Sequence, residues 1–318
     1  MSGRGPVLAV DVGGTKIAAA IVDTDGRILA RGTTATPAGA GGEKVAAALD
    51  RLVREVAAQG TPAELTGLGV GSAGPVDIGA GTVSPVNIPD WRPYPILEAL
   101  RPILPGRPAV LAGDGHCMAL GEYWRGGYTT PAMLGMVVST GVGGGLVLDG
   151  RVYAGVTGNA GHIGHVVVDL NGPPCPCGGR GCVEAIASGP SMVKWAWSKG
   201  WRGGDRVERR PDAAAAPPDA RTLARDARDG DPIARAAFTR SAAALAAGIV
   251  SAGGLLDLDD VVVGGGVAGA GDLLFTPLRE AVADLAGLAF VRRVRIHPSL
   301  LGADAGLLGA AALIFGST

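Results

Sequence analysis

Aromatic residues are scarce, at 4% of a 318-residue chain. Stacking platforms for a nucleic-acid strand have little to be built from. Charge of one sign is missing too. Lys plus Arg number 28 against 29 Asp plus Glu, leaving a net charge of −1. That excludes the basic face a phosphate backbone demands. Lysine occurs only at Lys16, Lys44, Lys194 and Lys199. The longest apolar stretch, Ala242–Val250 and its neighbours, is short and broken by glycine, so no bilayer span is expected. No apolar stretch of secretory type follows Met1–Pro6, and a reducing, cytoplasmic setting is expected. Glycine, by contrast, is abundant at 54 residues, without collagen period. With 47% hydrophobic residues the chain can build a large core, and its length suits two domains.

Cysteine is sparse but concentrated. Three of the four cysteines fall in Gly161–Glu184, which reads GHIGHVVVDLNGPPCPCGGRGCVE. Cys175, Cys177 and Cys182 with one upstream histidine form a complete tetrahedral set for Zn²⁺. A full set leaves no open position for water, so such a metal is structural. The one-residue gap between Cys175 and Cys177 is poor geometry for a disulfide, and no CxxC redox pair is present. His165 lies on the cysteine side and is taken as the fourth ligand, leaving His162 for other work. Cys117 stands alone and reads as a small buried apolar residue.

The chain repeats its own grammar. Val7–Val10 is a β-branched run, Asp11-Val-Gly-Gly-Thr-Lys16 a glycine turn, Ile17–Val22 a second strand, Asp25-Gly26 a hairpin signal and Ile28–Arg31 a third strand. Leu134–Ser139, the turn Thr140–Gly145, Leu146–Leu148, Asp149-Gly150 and Arg151–Ala154 follow the same order. Two similar α/β domains facing each other are implied. Helices are predicted over Glu43–Gln59, Ile96–Leu100, His116–Trp124, from Ser188 through Trp195, over Pro232–Leu256 and over Ala305–Phe315. Strands are predicted at Leu65–Val70, Val110–Ala112 and Val261–Val263. Residues 203–219 read as an exposed loop.

Asp-x-Gly-Gly-Thr-Lys after a strand can wrap a phosphate with backbone N–H groups. Asp11, Gly13, Gly14, Thr15 and Lys16 are candidates in the first turn. Thr140, Gly141, Gly143 and Gly144 belong to the second, and Gly265 and Gly266 to a third. Neither the Walker nor the Rossmann order is present. Two such turns can clamp a triphosphate, and the third leaves room for a nucleoside.

DVGGTK, STGVGGG, GHIGH, CPCGGRGCVEAIASG and VVVGGGV stand in the order and spacing of the ROK family (repressors, open reading frames and sugar kinases), which the chain resembles over nearly its whole length. The resemblance implies an actin-like, hexokinase-type α/β fold of two domains with an interdomain active-site cleft and a zinc knuckle. The expected small domain comprises 1–113 plus 304–318, and the large one 114–303. It also implies transfer of the γ-phosphoryl of ATP, with Mg²⁺, to a sugar hydroxyl at C6, a structural Zn²⁺, and a homodimer. The repressor branch carries a DNA-binding domain ahead of DVGGTK, whereas ten residues precede Asp11 here; kinase is expected over transcription factor.

Asp114, where a strand gives way to a helix, is the candidate base that accepts the hydroxyl proton, and can also cap the helix. By resemblance, His165 offers its second nitrogen to the sugar, and Glu184 binds sugar hydroxyls. Two departures matter. Asn-Asp of the family is Gly113-Asp114 here, so an amide contact to the sugar passes to Asn87 or His116. GEIGH of the glucokinases is GHIGH, with His162 able to donate where Glu only accepts. A donor suits the carbonyl of an N-acyl group, and GHIGH with CVEAIASG resembles the bacterial N-acylmannosamine kinase branch. A glucokinase or broad hexose kinase is the alternative reading, and a non-catalytic sugar sensor is the reading from another class.

Overall fold

The computed structural model describes residues 5–37, 39, 41–61, 64–86, 88–203 and 219–316. The chain opens with β1 (Val7–Val12), β2 (Lys16–Val22) and β3 (Ile28–Ala35), followed by α1 (Gly42–Ala57) and β4 (Leu68–Ser72). A small ribbon of β5 (Val76–Asp77) and β6 (Thr82–Val83) precedes α2 (Ile96–Leu100), β7 (Ala109–Gly113) and α3 (Asp114–Arg125). The first sheet has five strands in the order β3-β2-β1-β4-β7. β1 pairs antiparallel with β2 and parallel with β4, and β4 pairs parallel with β7. Both faces of this sheet are covered, which is why its central strands are nearly continuous apolar runs. Leu8, Val10 and Val12 join the cluster with Leu49, Leu52 and Val53 of α1. Val7 and Ala9 point the other way and join Cys117 of α3.

The chain continues through β8 (Ala132–Val138), β9 (Val142–Leu148), β10 (Arg151–Val152), α4 (Val183–Ala187), α5 (Gly189–Ser198) and α6 (Ala220–Arg228). Then come α7 (Pro232–Leu256), β11 (Asp260–Gly264), α8 (Asp272–Leu285), α9 (Ala289–Arg292), β12 (Arg295–Pro298) and α10 (Ala305–Phe315). The second sheet runs β10-β9-β8-β11-β12, repeating the order of the first position by position. The expected repeat is therefore present at the level of strand order. Its hairpins differ in detail. Asp149 and Gly150 both take positive φ, 49° and 76°, as a two-residue type I′ turn requires. At the first hairpin only Gly26 does (φ 76°), and the Asp23 carboxylate fills in by accepting the N–H groups of Asp25 and Arg27.

α10 belongs to the first layer packing. A side chain at Gly309 would run into the Cys117 carbonyl, and one at Gly121 into the Ala305 carbonyl. Glycine therefore lets α3 and α10 meet backbone to backbone. Leu307, Leu308 and Ala311 carry the apolar face of α10 onto the sheet. Glu122, fully buried on α3, accepts the N–H groups of Leu300 and Leu301 at 3.2 and 3.0 Å and ties down the segment leading to α10.

By internal contacts the described residues form two compact units. One holds those up to Gly135, Gly144–Gly161 and the stretch from Leu300 onward; the other holds Met136–Gly143 and His162–Ser299. The glycine seam keeps α3 in the first unit, so the grouping does not divide the chain at 113/114, where the sequence reading placed its boundary.

Three expectations are corrected. The turn after β8 spans only Ser139–Gly141, because β9 begins at Val142. Asp272–Leu285 is a 14-residue helix to which the sequence reading gave no element; Pro277 inside it hides the pattern. α7 has 25 residues and is long and apolar enough to cross a membrane by length and composition. Its most apolar window is 56% buried, packed against α4, α5, α6 and α8 in its own unit.

Candidate active site and metal centre

The knuckle after His165 is held by its own backbone. Val168 N–H donates to Gly181, Cys175 N–H to Gly179, and Gly178 N–H to Cys175. Gly178 and Gly181 take positive φ, 92° and 66°, to make these bends. The result gathers His165, Cys175, Cys177 and Cys182, whose ligand atoms all lie within 4.8 Å of one another. Cys177 Sγ to Cys182 Sγ is 3.8 Å, and Cys175 Sγ to His165 Nδ1 is 3.8 Å. A tetrahedron with Zn–S bonds of about 2.3 Å has edges of about 3.8 Å, so the donor set fits zinc. Burial pushes the Cys175 thiol up to about 12, a penalty that a coordinated dication removes. Nδ1 faces the thiols, so Nε2 of His165 is left for a ligand. The His162 ring stacks on that of His165 at 5.7 Å between centroids. Glu184, the second residue of α4, turns one oxygen to Val142 N–H at 2.9 Å, bracing the start of β9.

The same unit builds a second feature. Gly265 (φ 92°) lets the turn after β11 press on the Val138 carbonyl, and Val267 N–H donates to Val138 at 3.0 Å. Gly189 N–H at the start of α5 donates to the Ser139 carbonyl at 2.8 Å. These bonds bring Thr140 and Gly266 into the wall of one cavity of about 730 Å³. Ser139 and Val267 line it with them, and the rest of the wall comes from α5 and the start of α6, including Val193, Trp197 and Ala220. The sequence reading did not assign these residues; the stripe Pro190, Val193, Trp197 on one helix face was the available signal. Gly143 lies within β9 with open space beside it.

In the first unit, the turn after Asp11 is closed by Gly13 N–H to the Lys16 carbonyl at 2.9 Å. Thr36 Oγ1 donates to the Gly13 carbonyl at 2.7 Å, and Thr15 and Lys16 are exposed. Asp114 is the first residue of α3; Gly113 holds the N-cap position, which corrects the capping expectation. Asp114 Oδ1 accepts the Gly115 N–H at 2.7 Å. Burial, with the negative charge of Asp11 adding, pushes the Asp114 carboxyl up to about 7. Burial pushes Asp11 up to about 6, against the pull of Lys16. A carboxylate poised near neutral pH is a proton acceptor. His116 is buried, and its Nδ1 lies 3.1 Å from where a side chain at Gly113 would begin. A side chain at 113 would require the His116 ring to give by a few tenths of an ångström. Gly144 packs on Gly115 with no room for a side chain at 115. Cys117 is fully buried, as expected. Asn87 lies outside the described residues.

The sequence profile of the ROK family matches residues 7–316. This chain belongs to the ROK family. Glucokinase of Thermotoga maritima is 34% identical over 311 residues, covering 97% of this ROK chain and 96% of the relative. N-acetylmannosamine kinase of Yersinia pseudotuberculosis is 36% identical over 308 residues, covering 96% and 97%. Among solved structures, a ROK glucokinase from Streptomyces griseus in complex with glucose and AMPPNP superposes with a TM-score of 0.80 at 32% identity, covering 97% and 99%. The fold is the α/β fold of the ROK hexokinases, and this ROK protein groups with the family's sugar kinases.

Proposed function

We propose that this ROK kinase transfers the γ-phosphoryl of ATP to the C6 hydroxyl of N-acetylmannosamine. The observation that carries the kinase reading is Asp114, held at the first turn of α3 with a carboxyl poised near 7. It takes the proton of the attacking hydroxyl as the oxygen bonds to the γ-phosphorus. The bond from phosphorus to the bridging oxygen of ADP breaks, giving sugar 6-phosphate, ADP and a proton. The rest of catalysis is positioning and charge stabilisation. The N–H groups of Gly14–Lys16 and of Thr140–Gly141 are suited to phosphate oxygens, and Mg²⁺ arriving with ATP would neutralise their charge. His165, Cys175, Cys177 and Cys182 would hold Zn²⁺, which fixes the His165 ring and so aims Nε2.

His162 supports the choice of sugar. A ring N–H donates to an acyl carbonyl, which a carboxylate cannot do. Glucose phosphorylation is the second reading, favoured by the likeness to the glucokinases of Thermotoga maritima and Streptomyces griseus. An ADP-release assay with ATP–Mg²⁺ compares N-acetylmannosamine, glucose, mannose and N-acetylglucosamine. A site built around the acyl group should favour N-acetylmannosamine over glucose by on the order of 10⁴ in kcat/KM. Preference for glucose would replace the first reading by the second. Sugar binding without turnover of any sugar would remove both and leave a sensor.

A further inference from the structure

The cavity of the second unit has a wall that the phosphate-holding turns leave unused. Pro190, Val193 and Trp197 stand on one face of α5, at spacings of three and four residues. Trp197 is 43% exposed, whereas Trp91 and Trp201 are buried. Its ring is nevertheless held. The Arg202 guanidinium sits 4.8 Å from the ring centroid. Arg202 Nη1 donates to the carbonyls of Trp197 and Trp201, each at 2.9 Å. Trp201 in turn donates its Nε1–H to Asp226 of α6 at 2.9 Å. A chain of contacts thus ties the Trp197 ring to the helix whose start forms the facing wall. An indole with a cation on one face and a cavity beside it is a stacking surface fixed in advance.

The same wall is poor in groups that select adenine over guanine. Among its described residues there is no Asn, Gln or Glu. The Oδ1 of Asp219 is occupied at the start of α6, accepting Thr222 N–H at 2.9 Å and Thr222 Oγ1–H at 3.1 Å. Lys194 and Arg221 can donate to phosphate oxygens and equally to guanine O6 and N7, so neither favours adenine over guanine. Stacking is tolerant of base identity because every base has a π-face.

Resting on the kinase reading, we propose that Trp197 is the platform on which the nucleobase of the phosphoryl donor stacks, and that the site takes purine nucleoside triphosphates with little regard to the base. Two experiments test it. With saturating sugar, kcat/KM for ATP and GTP should agree within about tenfold, since stacking alone does not discriminate. Trp197→Ala should raise KM for both nucleotides by on the order of tenfold, with kcat and the sugar KM nearly unchanged. Trp197→Phe should recover most of the loss. Calorimetric titration of a non-hydrolysable ATP analogue into the wild type and Trp197→Ala reports the same contact without turnover. If no sugar is phosphorylated but the analogue binds and Trp197→Ala weakens it, the kinase reading falls and the platform stands. If turnover is normal and Trp197→Ala leaves nucleotide KM and analogue affinity unchanged, the platform is refuted. GTP used more than about tenfold less well than ATP would refute the tolerance.

Discussion

Replacing Asp114 by Asn removes a charge and keeps the shape. Its Oδ1 accepts the Gly115 N–H at 2.7 Å, and an amide oxygen can accept the same bond. What changes is the cost of ionising a carboxyl that is buried beside Asp11. Burial first, and Asp11 second, raise this carboxyl from 3.8 to about 7. That rise corresponds to roughly 4 kcal/mol, and sharing of charge with Asp11 brings the expected effect to about 2–4 kcal/mol. The folded protein binds the proton more tightly than the unfolded chain. The contribution is therefore fully present below pH 3.8 and is lost as pH rises through about 7. Asn does not titrate. Asp114→Asn should match the wild type in stability near about pH 4 and exceed it by about 2–4 kcal/mol at about pH 8, while turnover is abolished. Urea unfolding followed by circular dichroism at both pH values measures the difference. Coincident curves at the higher pH, or a less stable variant there, would refute the reasoning that Asp114 is held at a cost.

The same carboxyl sets a pH profile. kcat/KM for the sugar should climb with pH and level off above about 7, because only the ionised form accepts a proton; a flat profile across that range counts against Asp114 as the base. The purified chain should carry about one zinc per molecule, and Cys177→Ser should lose both the metal and stability. Elemental analysis and thermal melts check this, and a metal-free Cys177→Ser protein with wild-type melting would show that the knuckle needs no ion.

Much of the fold was legible because its signals are local. Val7–Val12 and Lys16–Val22 are β-branched and apolar around a glycine turn, and α7 and α10 fall on the residues their periodicity predicted. The repeat was visible for the same reason, since each half writes strand, glycine turn, strand and Asp-Gly in one line. The knuckle was legible from the chemistry of its ligands alone. What escaped was set by distant partners. The Pro277 within α8 reads as a breaker, yet packing on α7 overrides it. Trp197 and Ala220 lie 23 positions apart and meet in one cavity wall only once the chain is folded. The coupling of Asp11 to Asp114 is likewise a matter of burial, which composition does not report.

The seam between α3 and α10 has a consequence for how this protein can vary. Where Gly309 meets the Cys117 carbonyl and Gly121 the Ala305 carbonyl, the contact is between main chains. There is no side chain to enlarge or trim, so the seam admits no graded adjustment. Any heavier residue forces the helices apart at once. The first turn of α3, and Asp114 with it, is inherited as a block. Divergence in sugar or donor preference is then expected outside the seam, at positions such as 162 and the α5 face that carries Trp197, and a library for altered specificity should be spent there.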